Sequence, residues 1–240
     1  MKQNAFGKLY LLPNSIGHHD KSMFLPAGVE KTILPIRYFI VENIRTVRRY
    51  LRFLDSSFPI DDCHFFELNK HTAPTELHQM IQPLTNGNDM AIVSESGSPA
   101  VADPGALVVR LAHEKNISVV PLVGPSSILL ALMASGLNGQ QFAFVGYIPI
   151  DKQERQKTLR SLEQRSRRYH ETELFIEAPY RNKALMDSLL STLSPATLLT
   201  LAIEVNTVEE TIITKRVADW KKSVAPNIQK RNTLFLFLAE

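Results

Sequence analysis

One cysteine, Cys63, stands in 240 residues, so no internal disulfide can brace the fold. Its neighbours Phe65 and Phe66 mark it as a buried strand thiol with a structural part, and no nucleophile motif surrounds it. The longest apolar run with few breaks, Ile128 to Leu137, is about half the length of a membrane-spanning helix. The stretch Met1 to Gly7 lacks the apolar core of a secretion signal, and a cytoplasmic chain is expected. No His or Cys cluster has metal-ligand spacing. His18 and His19 are adjacent rather than four apart, so no metal is expected. Neither a phosphate-cradling P-loop nor a Gly-x-Gly-x-x-Gly turn occurs, and there is no Gly-x-Ser-x-Gly elbow for a hydrolase nucleophile. A large charge of one sign is missing too, because the formal net charge is only +3.

What is present is ordinary globular composition, 44% apolar and 21% charged, which excludes a disordered chain. Aromatic and branched runs at Lys8 to Leu12, Ile36 to Val41, Cys63 to Leu68, Asp89 to Val93 and Ile117 to Val123 read as strands. Helices are expected between them: from a cap at Asn43 through Asp55, from Pro74 to Leu84, and from Ala106 to Glu114. In the first of these, Val47, Tyr50, Leu51 and Leu54 form the apolar side. This alternation predicts a mostly parallel sheet covered on both faces. From about Asn138 the pattern restarts. Strands are expected at Phe142 to Ile148, Glu173 to Ala178, Leu198 to Glu204, Thr207 to Thr214 and Thr233 to Leu238. They flank a polar helix over Asp151 to Arg168 and a helix over Asn182 to Leu193, whose buried face is marked by Leu185, Leu189 and Leu193. The reading is an α/β chain of two α/β domains, 1–136 and 137–240, joined tightly near Gly136 to Gln140.

Three loops follow strands of the first domain: Pro13 to Gly17, Ser94 to Gly105 and Gly124 to Ser127. Each alone is a common turn sequence. Together they gather at the carboxyl edge of one sheet, where open α/β folds bind ligands. Arg45, Arg48, Arg49 and Arg52 recur at i, i+3, i+4 and i+7, which puts a cationic stripe on one helix. A second basic run holds Lys152, Arg155, Lys157, Arg160, Arg165, Arg167 and Arg168. It is laced with Glu154, Glu163 and Glu171, so it reads equally as a phosphate-binding patch or as a solvated face.

The segments LYLLPNSIG, VENIRTVRRYL, MAIVSESGSPAVADPG, VVPLVGPSSILLALMASGL, FIEAPYR and LAIEVNTVEE, in that order, resemble the tetrapyrrole (corrin/porphyrin) methylase family. Within it, the chain is most similar to the branch that methylates a cytidine ribose 2′-hydroxyl of small-subunit ribosomal RNA. The resemblance implies a class III methyltransferase with a mostly parallel first sheet and a mixed second one. It also implies S-adenosylmethionine held between the domains, a homodimer, and ribosomal RNA or the small ribosomal subunit as partner. By position, the resemblance assigns Ser15 and Ile16 to the first cofactor loop, Ser98 and Val101 to the methionine part, and Ser126 and Ser127 to the third loop. Glu177, Ala202 and Leu234 fall where the second domain closes on the adenosine. The chain departs from the branch where Glu-Asp-Thr-Arg has become Glu42-Asn43-Ile44-Arg45 and Ser-Asp-Ala-Gly-Thr-Pro has become Ser94 to Pro99. Pro13-Asn14-Ser15 replaces Ala-Thr-Pro, and Glu204 to Thr207 has lost the lysine of Glu-Leu-Thr-Lys.

A ribose hydroxyl is a weak nucleophile, and a positioned carboxylate activates it. Glu42 and Asp103, each near a strand end on the loop-bearing edge, are the candidate bases. Arg45 and Arg181 can fix a phosphate through paired guanidinium contacts, with Arg48 and Arg49 continuing the stripe. Two alternatives stay open from sequence: a methylase of a small tetrapyrrole-like substrate, and a non-catalytic homologue that only binds cofactor or RNA.

Overall fold

The computed structural model describes residues 6–17, 20–69 and 71–240; the Met1–Ala5 start and the His18-His19 pair lie outside them. The chain forms two compact units, Met1–Ser126 and Ser127–Glu240. In the first, β1 (Leu9–Leu12), α1 (Ala27–Ile33), β2 (Tyr38–Val41), α2 (Ile44–Leu54) and β3 (His64–Glu67) are followed by α3 (Pro74–Met80) and α4 (Gln82–Thr85). The unit ends with β4 (Met90–Val93), α5 (Gly105–Glu114) and β5 (Val119–Pro121). Its five strands lie in the order β3-β2-β4-β1-β5, all parallel.

Strand alternation explains the layering. Phe39 and Val41 of β2, with Ala91 and Val93 of β4, join Val47, Leu51 and Leu54 of α2 on one face. Ile40, Met90 and Ile92 point the other way and pack with Leu77, Leu84, Val108 and Leu111. Both faces of the central strands are therefore dry, and a continuous apolar run such as Met90-Ala-Ile-Val93 is what that position requires. Because every strand is parallel, the segments after β1, β2, β4 and β5 leave from one edge of the sheet.

The second unit runs α6 (Ser127–Ser135), β6 (Phe142–Tyr147), α7 (Lys152–Tyr169), β7 (Thr172–Ile176), α8 (Asn182–Thr192), β8 (Leu198–Ile203), β9 (Thr211–Arg216), α9 (Val217–Trp220) and β10 (Thr233–Leu238). Its sheet is mixed, in the order β6-β7-β10-β8-β9, with β6 and β7 parallel and the other pairs antiparallel. Phe235 and Phe237 meet Leu159 and Leu162 of α7 and Leu185 and Leu189 of α8. Leu234 and Leu236 face the opposite way, onto Ala131 and Leu132 of α6.

Several elements differ from the sequence reading. The units part at Ser126/Ser127, ahead of 136/137, because α6 buries its apolar residues with the second sheet. The 136–140 segment is the connection from α6 to β6. The helix expected over Pro74 to Leu84 breaks at Ile81, where the backbone leaves helical geometry (φ −89°, ψ 3°) just before Pro83. The strand expected from Thr207 starts at Thr211, since Thr207 and Glu210 turn back on Glu204 and Thr207. Cys63 is half-buried and precedes β3 rather than lying in it, its Sγ 3.3 Å from the Pro59 carbonyl oxygen.

Two arginines of the basic run on α7 are taken up by the fold. Arg155 is buried, donating to Ser188 Oγ (2.8 Å) and the Ile150 carbonyl (2.7 Å). Arg165 pairs with Glu171 at 2.9 Å and with the fully buried Glu173. Glu163 accepts from the Ser194 amide and the Thr197 hydroxyl, which fixes the turn into β8.

Candidate active site

The loops after β1, β4 and β5 touch one another in a ring. Asn14 is 6% exposed and joins the first loop to the second. Its amide nitrogen donates to the carbonyls of Ser94 (3.0 Å) and Glu95 (3.2 Å), while its backbone exchanges two hydrogen bonds with Gly97. Ser94 Oγ closes the same turn onto the Gly97 carbonyl at 2.7 Å. Ser98 Oγ joins the second loop to the third by donating to the Pro125 carbonyl at 3.2 Å. The third meets the first at Gly124, where a Cβ would stand 2.3 Å from that of Pro13. Tyr50 of α2 braces the ring from beneath, its buried hydroxyl donating to the Pro13 carbonyl at 2.7 Å. Burial raises that phenol above its ordinary pKa, so it stays a donor.

The second loop holds strained backbone. Ala100 (φ 64°) and Ala102 (φ 57°) are left-handed, as is Gly97 (φ 69°). Alanines pay a steric cost there, and such outliers cluster at ligand-binding segments. Asp103 holds the shape, its Oδ1 accepting from the amides of Gly105 (2.6 Å) and Ala100 (3.2 Å). Its side chain also stands close enough to Glu42 to act on that carboxyl. Sheet order makes this possible, because β2 and β4 are neighbours and their carboxyl ends lie side by side. Burial first, then the charges of Asp103 and Glu95, raise the Glu42 pKa above the usual carboxylate range, while the Glu95 amide pulls it the other way. Asn43, which replaces the acid of the related motif, still caps α2 through its bond from the Thr46 amide at 3.1 Å.

The first unit thus brings Ser15, Ile16, Ser98, Val101 and Ser126 onto the three loops, with Glu42 and Asp103 on the same edge of the sheet. Ile16 lies under Gly97, and Val101 is half exposed. Arg45, Arg48, Arg49 and Arg52 line one open groove on α2, of about 650 Å³, together with Ile44 and Ile60. In the second unit Ser127 opens α6, while Glu177, Ala202 and Leu234 share one level of the sheet. Leu234 pairs with Ala202 on one side and with Ile176, next to Glu177, on the other. The side chains of Ala202 and Leu234 are packed under α6, and their backbones lie in strands paired on both sides. Arg181 donates from Nε to Glu177 Oε1 at 2.9 Å and covers the Tyr180 ring, so its guanidinium is engaged within its own unit. Sequence reasoning missed Asn14, Ser94 and Tyr50. Only a polar residue flanking a strand end hinted at the first two, and Tyr50 was hidden among core positions.

A sulfonium-bearing amino acid carries an ammonium, a carboxylate and apolar carbons. The Asn14 carboxamide and the Ser94 and Ser98 hydroxyls are spent on fastening the loops, so what the ring can offer such a ligand is loop backbone around small residues, with the carboxylates of Glu42 and Asp103 on the same edge. Among the described residues no group of His, Cys, Asp and Glu can hold a metal, and no helix is long and apolar enough to cross a membrane.

No family model matches the chain. Among curated relatives, ribosomal RNA small subunit methyltransferase I of Synechocystis sp. is 31% identical over 204 residues, 85% of this chain and 69% of that protein. The Bacillus subtilis protein of the same name is 32% identical over 187 residues, 78% of this chain; the chain spans only 60% of that relative's length. The Xylella fastidiosa one is 26% identical over 234 residues, 98% of this chain and 81% of that protein. The fold is shared with solved methyltransferases. CobJ gives a TM-score of 0.63 at 16% identity, covering 97% of this chain and 94% of that one. Uroporphyrin-III C-methyl transferase from Thermus thermophilus, complexed with S-adenyl homocysteine, gives 0.54 at 16% identity, covering 97% of each chain. The resemblance read from the motifs therefore stands, and the chain belongs to the ribosomal RNA small subunit methyltransferase I family of methyltransferases.

Proposed function

We propose that the chain transfers a methyl group to a ribose 2′-oxygen of small-subunit ribosomal RNA. The observation that carries this reading is the Glu42–Asp103 pair, set beside a ring of three pre-fastened loops on the carboxyl edge of a parallel sheet. S-adenosylmethionine, when bound, supplies a methyl on a sulfonium that is already activated for displacement. Ser15, Ile16, Ser98, Val101 and Ser126 are the residues assigned to hold it in the first unit, and Ser127, Glu177, Ala202 and Leu234 those assigned in the second. The loops are fastened before ligand arrives, which cuts the ordering cost of binding.

Glu42 takes the proton of the 2′-hydroxyl as the oxygen becomes a nucleophile. Its raised pKa moves it toward the operating pH, where a general base is most effective. Asp103, fixed by two loop amides, orients Glu42 and is a positioning residue. Arg45, Arg48 and Arg49 neutralise phosphates of the substrate strand. Arg181, already paired with Glu177, serves the substrate less directly. A homodimer acting in the cytoplasm, where ribosomal RNA is processed, completes the reading.

Calorimetric titration with S-adenosylmethionine, followed by transfer of labelled methyl to small-subunit ribosomal RNA, tests the proposal. Saturable binding and RNA labelling are expected. Absence of cofactor binding would remove the enzyme reading altogether. Sedimentation equilibrium at twice the 27.1 kDa chain mass checks the dimer.

A further inference from the structure

The α2 groove has features that a general cationic surface lacks. Four arginines line it, and the half-buried Ile44 gives it an apolar floor, while Ile60, also in its lining, is buried in the core. Among the described residues Arg45 and Arg49 have no ion-pair partner; Arg48 reaches only the exposed Asp61, at 3.2 Å. Arg52 donates to the Ser56 carbonyl at 2.9 Å. On α7, Arg155 and Arg165 are consumed by the fold, and the exposed Lys157, Arg160 and Arg168 are not part of this groove. The arginines of α2 are thus available cations at a regular step, spread over about 10 Å of helix axis. The stripe starts three residues after Glu42.

We infer that this groove docks a single RNA strand, with consecutive phosphates along Arg45, Arg48/Arg49 and Arg52 and an unstacked base against Ile44. The inference rests on the RNA reading above and gives it a strand-specific contact. A row of guanidinium groups at one-turn spacing matches a chain of repeating anions. An apolar floor accepts the face of any base, which gives strand binding without sequence preference. A groove of about 650 Å³ has room for one or two nucleotide units but not for the width of a duplex. With the strand so placed, the ribose at its Glu42 end meets the base that activates it.

The test is fluorescence polarisation of a labelled RNA dodecamer, alone and annealed to its complement, across a salt series. The single strand is expected to bind about tenfold or more tightly than the duplex. Its log–log salt slope should be about −2, from three phosphate contacts at about 0.7 each. In Arg45→Ala/Arg49→Ala the slope should become shallower by about 0.7, because Arg48 still holds the shared phosphate, with thermal melting and S-adenosylmethionine titration unchanged. An unchanged slope in that variant overturns the inference. So does equal binding of the duplex, or displacement of RNA by polyglutamate as readily as by unlabelled RNA. A protein that binds the strand in this way but methylates no RNA leaves the groove standing and removes the methylation reading. One that methylates RNA equally well with and without the two arginines does the reverse.

Discussion

Replacing Glu42 by Gln separates chemistry from folding at one residue. The variant keeps the shape of the side chain and loses its basicity, so turnover should fall by about 10²- to 10⁴-fold, with S-adenosylmethionine affinity little changed by calorimetry. In the native protein, turnover should decline as pH falls through the raised Glu42 pKa, because protonation occupies the base. Stability should move the other way. A carboxyl whose folded pKa is raised binds more protons folded than unfolded, so stability drops as pH rises through the window between its ordinary and raised values. Glu42→Gln should therefore melt slightly higher than native at pH 8, and the gain should vanish in acid. A pH series of melting curves, run beside pH–rate profiles, reads both signs. The two carboxylates were recognisable in the sequence as strand-end acids. Their contact was not, because residues 42 and 103 meet only when β2 and β4 become neighbours, and sheet order is a long-range property. Asn14 was invisible for a related reason: its value lies in carbonyls some 80 residues away.

Loops and helices show the same division. The apolar period of α2 could be read directly, and Val47, Tyr50, Leu51 and Leu54 are all buried. Its arginine stripe also became a real groove. α1 carries a weak local signal, since Pro26 offers no side-chain cap and Gly28 lowers its helical propensity. α9 is a single turn, too short for periodicity to show. The loop ring depends on close approach at Gly124, where a Cβ would sit 2.3 Å from that of Pro13. Gly124→Ala should push the first and third loops apart, cost about 1–3 kcal/mol, and weaken S-adenosylmethionine binding by about tenfold or more. Calorimetry paired with denaturant unfolding checks both numbers. In the second unit, Arg165→Ala strips the partner from Glu173, whose side chain is fully buried. A loss of about 3 kcal/mol is expected in the unfolding of the native chain. The same Arg165→Ala protein tells a structural α7 from an RNA-binding one, because its salt slope for RNA should match the native value.

At the scale of the whole molecule, two covered sheets account for most of what composition could promise: a chain 44% apolar, with ordinary charge, folds into two α/β units. The alternation of strands and helices foretold a parallel first sheet, and the motif order pointed to the mixed second one. The division at Ser126/Ser127 could not be read locally, because α6 chooses its unit by packing under β8 and β10 rather than by any linker composition. The central claim is that this architecture places a carboxylate base where a ribose hydroxyl is methylated. The most direct measurement is to label small-subunit ribosomal RNA with radioactive methyl, digest it in alkali, and ask where the label runs. A 2′-O-methyl blocks cleavage at its own phosphodiester, so label in an alkali-resistant dinucleotide, abolished by Glu42→Gln, is the predicted result. Label confined to mononucleotides, or no transfer by a protein that binds S-adenosylmethionine, would contradict the account.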